Sequence, residues 1–231
     1  MREKIIIALD VSARDHAMRL VQDMYDLAGM FKVGSQLFTA CGPQIVSDII
    51  GAGGKVFLDL KFHDIPNTLV HAAAEAAKLG VSMMTVHSSG GRAMMTSVSK
   101  DLQEKFGTRK PMVVAITVLT SFDTRALFEI GVEFPVEEHV QRLARFAESC
   151  GMDGVVCSPQ EIRQLRKTLG KDFKIVTPGI RMPDQSLNDQ ERIATPREAI
   201  DAGADYIVVG RAVTNDVEPR AATERLLKSL I

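Results

Sequence analysis

The sequence is poor in cysteine, and what it has is scattered: Cys41, Cys150 and Cys157. An odd set without paired spacing excludes a disulfide framework and a thiolate zinc site. It points to a reducing, cytoplasmic home. An excess of one charge sign is missing too, since the formal net charge is −1. Nucleic-acid and membrane-surface binding usually need a marked basic excess, so neither partner is expected. No charge run and no low-complexity tract interrupts the chain. Long apolar runs are also lacking. Ile5 to Leu9 is cut off by Asp10, too soon for a signal-peptide core. Nothing approaches the roughly 18 apolar residues that a membrane helix needs.

What is present is an ordinary globular composition, 45% apolar and 25% charged over 231 residues. That supports one large core rather than two enzyme-sized ones. Short β-branched runs recur at even intervals: Lys4–Asp10, Met30–Gly34, Lys55–Lys61, Met83–His87, Met112–Leu119, Gly154–Cys157, Lys174–Pro178 and Tyr206–Gly210. Amphipathic stretches lie between them, among them Asp15–Ala28, Asn67–Leu79, Ala93–Phe106, Val136–Ser149 and Gln160–Leu169. Strand and helix in alternation imply parallel strands joined by crossovers. Eight such units predict a single α/β domain over residues 1–231, a closed (β/α)₈ TIM barrel. An open doubly wound sheet is the alternative. It normally carries a glycine-rich phosphate turn after its first strand, where this chain has Asp10-Val11-Ser12-Ala13. Ser12 or Asp15 is expected to cap the first helix. Pro66 suits the first turn of a helix that Gly80 follows, and Thr195-Pro196-Arg197-Glu198 spells a capping box.

Polar residues break the strand pattern at one recurring place. Side chains two apart on a strand share a face. Ile6, Ala8 and Asp10 form one such set; Met30, Lys32 and Gly34 another; Phe57, Asp59 and Lys61 a third. Each set that carries charge carries it toward the C-terminal end, and in barrel enzymes that end holds the active site. Asp10, Lys32, Asp59 and Lys61 are therefore expected to converge. A purely structural ion network would be an expensive use of four charges, because desolvation offsets much of the gain from pairing.

The run Asp59-Leu60-Lys61-Phe62-His63-Asp64-Ile65-Pro66-Asn67-Thr68 meets every specified position of the pattern Asp-x-Lys-x-x-Asp-Ile-x-x-Thr. With Ala8-Leu9-Asp10 near the start and Val209-Gly210-Arg211 near the end, the chain resembles the orotidine 5′-monophosphate decarboxylase family along essentially its whole length. That resemblance implies conversion of orotidine 5′-monophosphate (OMP) to UMP, in pyrimidine biosynthesis, with no cofactor and no metal. Lys61 would stabilise and protonate the C6 carbanion, held in place by Asp59 and Asp64, with Asp59 near the leaving carboxylate. Lys32 would orient Asp59 and a ribose hydroxyl, and Asp10 would accept a second ribose hydroxyl. Asp64 and Thr68, with Ile65 between them, would reach into a neighbouring subunit, making the active form a homodimer. Thr120, rather than the adjacent Ser121, would read the edge of the pyrimidine. His63 occupies an unspecified position and reads as packing or as support for the neighbouring site residues, rather than as a proton-transfer group. His87, at the end of the fourth strand, has no assigned role.

Barrel enzymes commonly hold phosphate with the loops after strands seven and eight. Here those loops contain Pro178-Gly179-Ile180-Arg181 and Gly210-Arg211. Glycine admits close backbone approach to an anion, and arginine adds a two-pronged cation. The connection from Arg181 to Ala194 contains Pro183, Asp184, Gln185, Asn188 and Gln190, and is expected to close as a lid. Arg181 and Gln190 would touch the phosphate. Three rivals stand beside this. A magnesium-dependent sugar-phosphate decarboxylase or synthase of the same suprafamily would want an acid where Phe57 stands. A Schiff-base aldolase needs a neutral amine, which flanking carboxylates disfavour. A non-catalytic phosphoribosyl-binding barrel would have no need of the Asp-Lys-Asp set.

Overall fold

The computed structural model describes residues 1–182 and 194–230. Eight parallel strands close into a barrel in sequence order. They are β1 (Ile5–Ala8), β2 (Met30–Gly34), β3 (Val56–Phe62), β4 (Met83–His87), β5 (Met112–Ile116), β6 (Gly154–Val156), β7 (Lys174–Thr177) and β8 (Tyr206–Val209). β8 pairs with β1, Ile6 opposite Val208, and this pairing closes the cylinder. The strands begin within one residue of the expected positions; five end one to three residues early, and β3 ends one residue later than expected, at Phe62.

The alternation of side chains divides the core into two. Ile6, Ala8, Met30, Phe57, Met83, Val114, Val176 and Val208 fill the barrel interior. Ile5, Ile7, Phe31, Val33, Val56 and Leu58 point outward into the layer shared with the helices. Both sets are withdrawn from water. Each large side chain so buried contributes about 1.5–3 kcal/mol to folding before entropy is counted. Among the described residues no helix is long and apolar enough to cross a membrane.

Helix ends follow local chemistry, with one correction. Pro66 occupies the first turn of Pro66–Lys78, and Thr195 forms a capping box with Glu198 at the start of Pro196–Ala202. The first helix, Arg14–Met24, begins instead after Ala13 with no side-chain cap. The Ser12 hydroxyl is engaged elsewhere, accepting the Gln36 amide at 2.8 Å. Asp15 lies inside the first turn, where its charge still complements the helix dipole. Two helices, Ser35–Cys41 and Gln44–Gly51, connect β2 to β3. They break at Gly42, whose φ of +66° reverses the chain before Pro43.

Candidate active site

Four charged side chains form one chain of contacts at the C-terminal rim. Lys32 Nζ donates to Asp10 Oδ1 at 2.9 Å and lies 3.7 Å from Asp59 Oδ2. Lys61 Nζ donates to the same Asp59 oxygen at 2.8 Å. Charge alternates along the sequence Asp10, Lys32, Asp59, Lys61, so each carboxylate or ammonium has an opposite neighbour. Asp59 is only 8% exposed. The register explains the convergence, because Ala8 stands opposite Lys32 and Gly34 opposite Asp59. Gly34 leaves room for the pair: a β-carbon on it would lie 3.0 Å from Lys32 Nζ, crowding the ammonium, and 3.6 Å from Asp10 Oδ1.

Simple alternation carries β3 only as far as Asp59. Leu58 pairs with Met84 and Phe62 with Val86, so the ladder shifts between them. Lys61 sits within this irregularity at φ +51°, the one non-glycine residue with positive φ among the described residues. Its backbone N–H donates to the Thr85 hydroxyl at 2.8 Å, and that hydroxyl donates to Asp59 Oδ1 at 3.1 Å. Such backbone strain clusters at functional sites. Sequence reasoning missed Thr85. The available signal was a polar residue sharing the inward face of Met83 on a buried strand.

The cluster opens into a cavity of about 240 Å³. Asp10, Lys32, Asp59 and Lys61 line one side, and Thr120, Gly179, Arg181, Gly210 and Arg211 line it elsewhere. Ile116, Val118, Val156 and Cys157 add an apolar wall. Arg181 is buried, and its Nη1 donates to the Ile180 carbonyl at 3.0 Å. Its backbone N–H meets the Ala194 carbonyl at 3.0 Å, and Ala194 N–H meets Gly179 O at 3.3 Å. Residues 179–181 are thereby tied to 194. Gln190, with Pro183, Asp184, Gln185 and Asn188, lies outside the described residues, as does the expected lid.

Asp64, Ile65 and Thr68 are not brought to this cavity. All three are exposed, and Ile65 reaches 66%. Asp64 Oδ1 accepts the Ile65 N–H at 2.7 Å. Among the described residues it makes no ion pair with Lys61, whose ammonium contacts Asp59 within the chain. The reason is local: Asp64 follows the end of β3 and turns outward as the chain enters the helix Pro66–Lys78. His63 and His87 stack beside Lys61, with ring centroids 5.3 Å apart. Burial, then the neighbouring His63 and Lys61, hold the His87 imidazolium below its usual range. His87 is therefore neutral near pH 7.

Known proteins resemble this chain in sequence and in fold. The model of the orotidine 5′-phosphate decarboxylase / HUMPS family matches residues 3–226. A relative from Geobacter sulfurreducens, named orotidine 5′-phosphate decarboxylase, is 49% identical over 231 residues, covering 100% of this chain and 97% of that protein. One of the same name from Syntrophotalea carbinolica is 48% identical and covers 99% of this chain and 95% of its own. The crystal structure of orotidine 5′-phosphate decarboxylase from Lactobacillus acidophilus superposes with a TM-score of 0.86 at 38% identity, covering 98% of each chain. The chain belongs to the orotidine 5′-phosphate decarboxylase / HUMPS family.

Proposed function

We propose that this protein decarboxylates OMP to UMP, with its own side chains supplying the electrostatics and no metal or cofactor taking part. The observation that carries this is the unbroken Asp10–Lys32–Asp59–Lys61 chain on the wall of a cavity that also holds two arginines. Losing CO₂ from C6 of the pyrimidine leaves the bonding electron pair on a carbon with no π system to spread it. A fixed ammonium beside that carbon stabilises the developing charge in the transition state. Lys61 Nζ also delivers the proton that C6 requires, and solvent restores it. Asp59 holds that ammonium and faces the leaving carboxylate. Lys32 and Asp10 bind the ribose hydroxyls, and Thr120 reads the pyrimidine edge.

Arg181, Arg211 and the amides beside Gly179 and Gly210 take the phosphate, joined by Gln190. Binding energy from that remote end helps to position the reacting end. Asp64, Ile65 and Thr68, exposed on their own chain, complete the site of a second copy, so the active unit is a homodimer. The free thiols of Cys41, Cys150 and Cys157 fit a cytoplasmic setting. Phe57 speaks against the magnesium-using branch of the family. It is 2% exposed and packs inside the barrel beneath Asp59, where that branch would want a carboxylate.

The test is direct. OMP mixed with the protein in EDTA should lose its absorbance as UMP forms. No loss with or without chelator would sink the proposal, and activity only with added magnesium would favour the other branch. Mixing Lys61→Ala with Asp64→Ala protein tests the shared site. Hybrid dimers should regain activity that neither parent has, and no regain would remove Asp64 from the partner's site.

A further inference from the structure

At the rim, Asp59, Leu60 and Lys61 all stand between the Leu58–Met84 and Phe62–Val86 pairs, and on β4 only Thr85 stands there. An unequal ladder of this kind leaves backbone groups without their usual partners. The Thr85 hydroxyl takes up the deficit. It accepts the Lys61 N–H at 2.8 Å and gives its proton to Asp59 Oδ1 at 3.1 Å. One hydroxyl can do both at once. Thr85 is fully buried, so solvent is not at hand to replace it. Lys61 meanwhile holds a left-handed backbone at φ +51°, which an L-residue keeps only where its surroundings over-determine it.

We infer that Thr85 is a positioning residue for the reaction proposed above, on which this inference rests. Its hydroxyl locks the Lys61 backbone and sets the plane of the Asp59 carboxylate. Asp59 Oδ2 is thereby left to face the Lys61 ammonium, and the ammonium is held at the cavity wall. Thr85 touches no reacting atom and acts through these two residues.

Thr85→Val keeps the β-branched shape and removes the hydroxyl, whereas Thr85→Ser keeps the hydroxyl. In Thr85→Val, kcat should fall about a hundredfold, the scale of a small misplacement of a reacting group. KM for OMP and Kd for UMP should change little. Thr85→Ser should recover most of the turnover. A crystal structure of Thr85→Val should show Lys61 out of its left-handed conformation or Asp59 rotated away from the ammonium. Unchanged kcat in Thr85→Val, equal losses in both variants, or Lys61 and Asp59 unmoved in the crystal would each overturn the inference. If the valine variant fails to fold, Thr85→Ala takes its place with the same readouts. If the unmodified protein does not turn over OMP, the proposed function fails, and the crystal structure still decides whether Thr85 holds Lys61.

Discussion

Both ends of the barrel carry buried or half-buried charge, but the two ends use it differently. At the N-terminal end Asp153 takes Lys110 Nζ on both oxygens at 2.7 Å and the Val113 N–H at 2.8 Å. Asp205 pairs with Arg166 and accepts the Ile175 N–H at 2.8 Å. Arg166 gives further N–H groups to Gly203 O and Phe173 O. These charges spend their bonding capacity on the backbone where strands begin. At the C-terminal end Asp10, Lys32, Asp59 and Lys61 bond to one another along a cavity wall. Size does not separate the two ends. An open depression of about 710 Å³, lined in part by Lys110, Asp153 and Lys174, lies at the N-terminal end, against about 240 Å³ at the mouth. The difference lies in what the charges face. Saturated pairs anchor a fold, whereas a chain of ions along a hollow can act on a ligand.

The contrast breaks most visibly at Lys61. Lys61→Ala should keep its circular dichroism spectrum and bind UMP, yet lose at least about a thousandfold in kcat. Near-normal turnover would make the mouth as structural as the base. Next in size is the phosphate end. Arg211→Ala should raise the inhibition constant for UMP roughly tenfold to a hundredfold, as expected when charged hydrogen bonds are lost. An unchanged constant would remove Arg211 from phosphate binding. The base supplies the opposite case. Asp153→Ala should lower unfolding stability by about 2 kcal/mol, measured in urea, with kcat per folded molecule unchanged. A matching loss of kcat would erase the distinction between the ends.

The smallest effect concerns pH. His87 and His139 both have imidazolium forms disfavoured in the fold, each chiefly by burial. Above their ordinary value of 6.5 both the folded and unfolded chains keep these rings neutral. As pH falls below 6.5 the unfolded chain takes up protons first, so stability declines toward acid. His87→Asn should flatten part of that decline in melting temperature. An unaltered slope would show that His87 contributes none of it.

Much of the barrel was legible in the chain, because buried parallel strands and amphipathic helices leave different periods. β2 and β4 have the predicted limits, Met30–Gly34 and Met83–His87, and so does the helix Val136–Ser149. The rim charges were legible for the same reason, since Asp10, Lys32 and Asp59 lie toward the C-terminal ends of inward-facing sets. Lys61 reached the site by a route that parity does not describe, through a register shift and a left-handed residue. The Ser12 cap failed because its hydroxyl was claimed by Gln36, a residue brought near only by folding.

By itself the sequence determined the periodic elements, the closed α/β architecture they imply, and the motif of acids and amines that resembles one enzyme family. These are local properties, set by the order of side chains along a strand or helix. Only the tertiary structure decided that Thr85 on the neighbouring strand holds both Lys61 and Asp59. It also decided that Asp64 turns outward while Asp59 turns in. Those choices depend on where two strands slip against each other, and that slip is settled by packing across the barrel rather than by either strand alone.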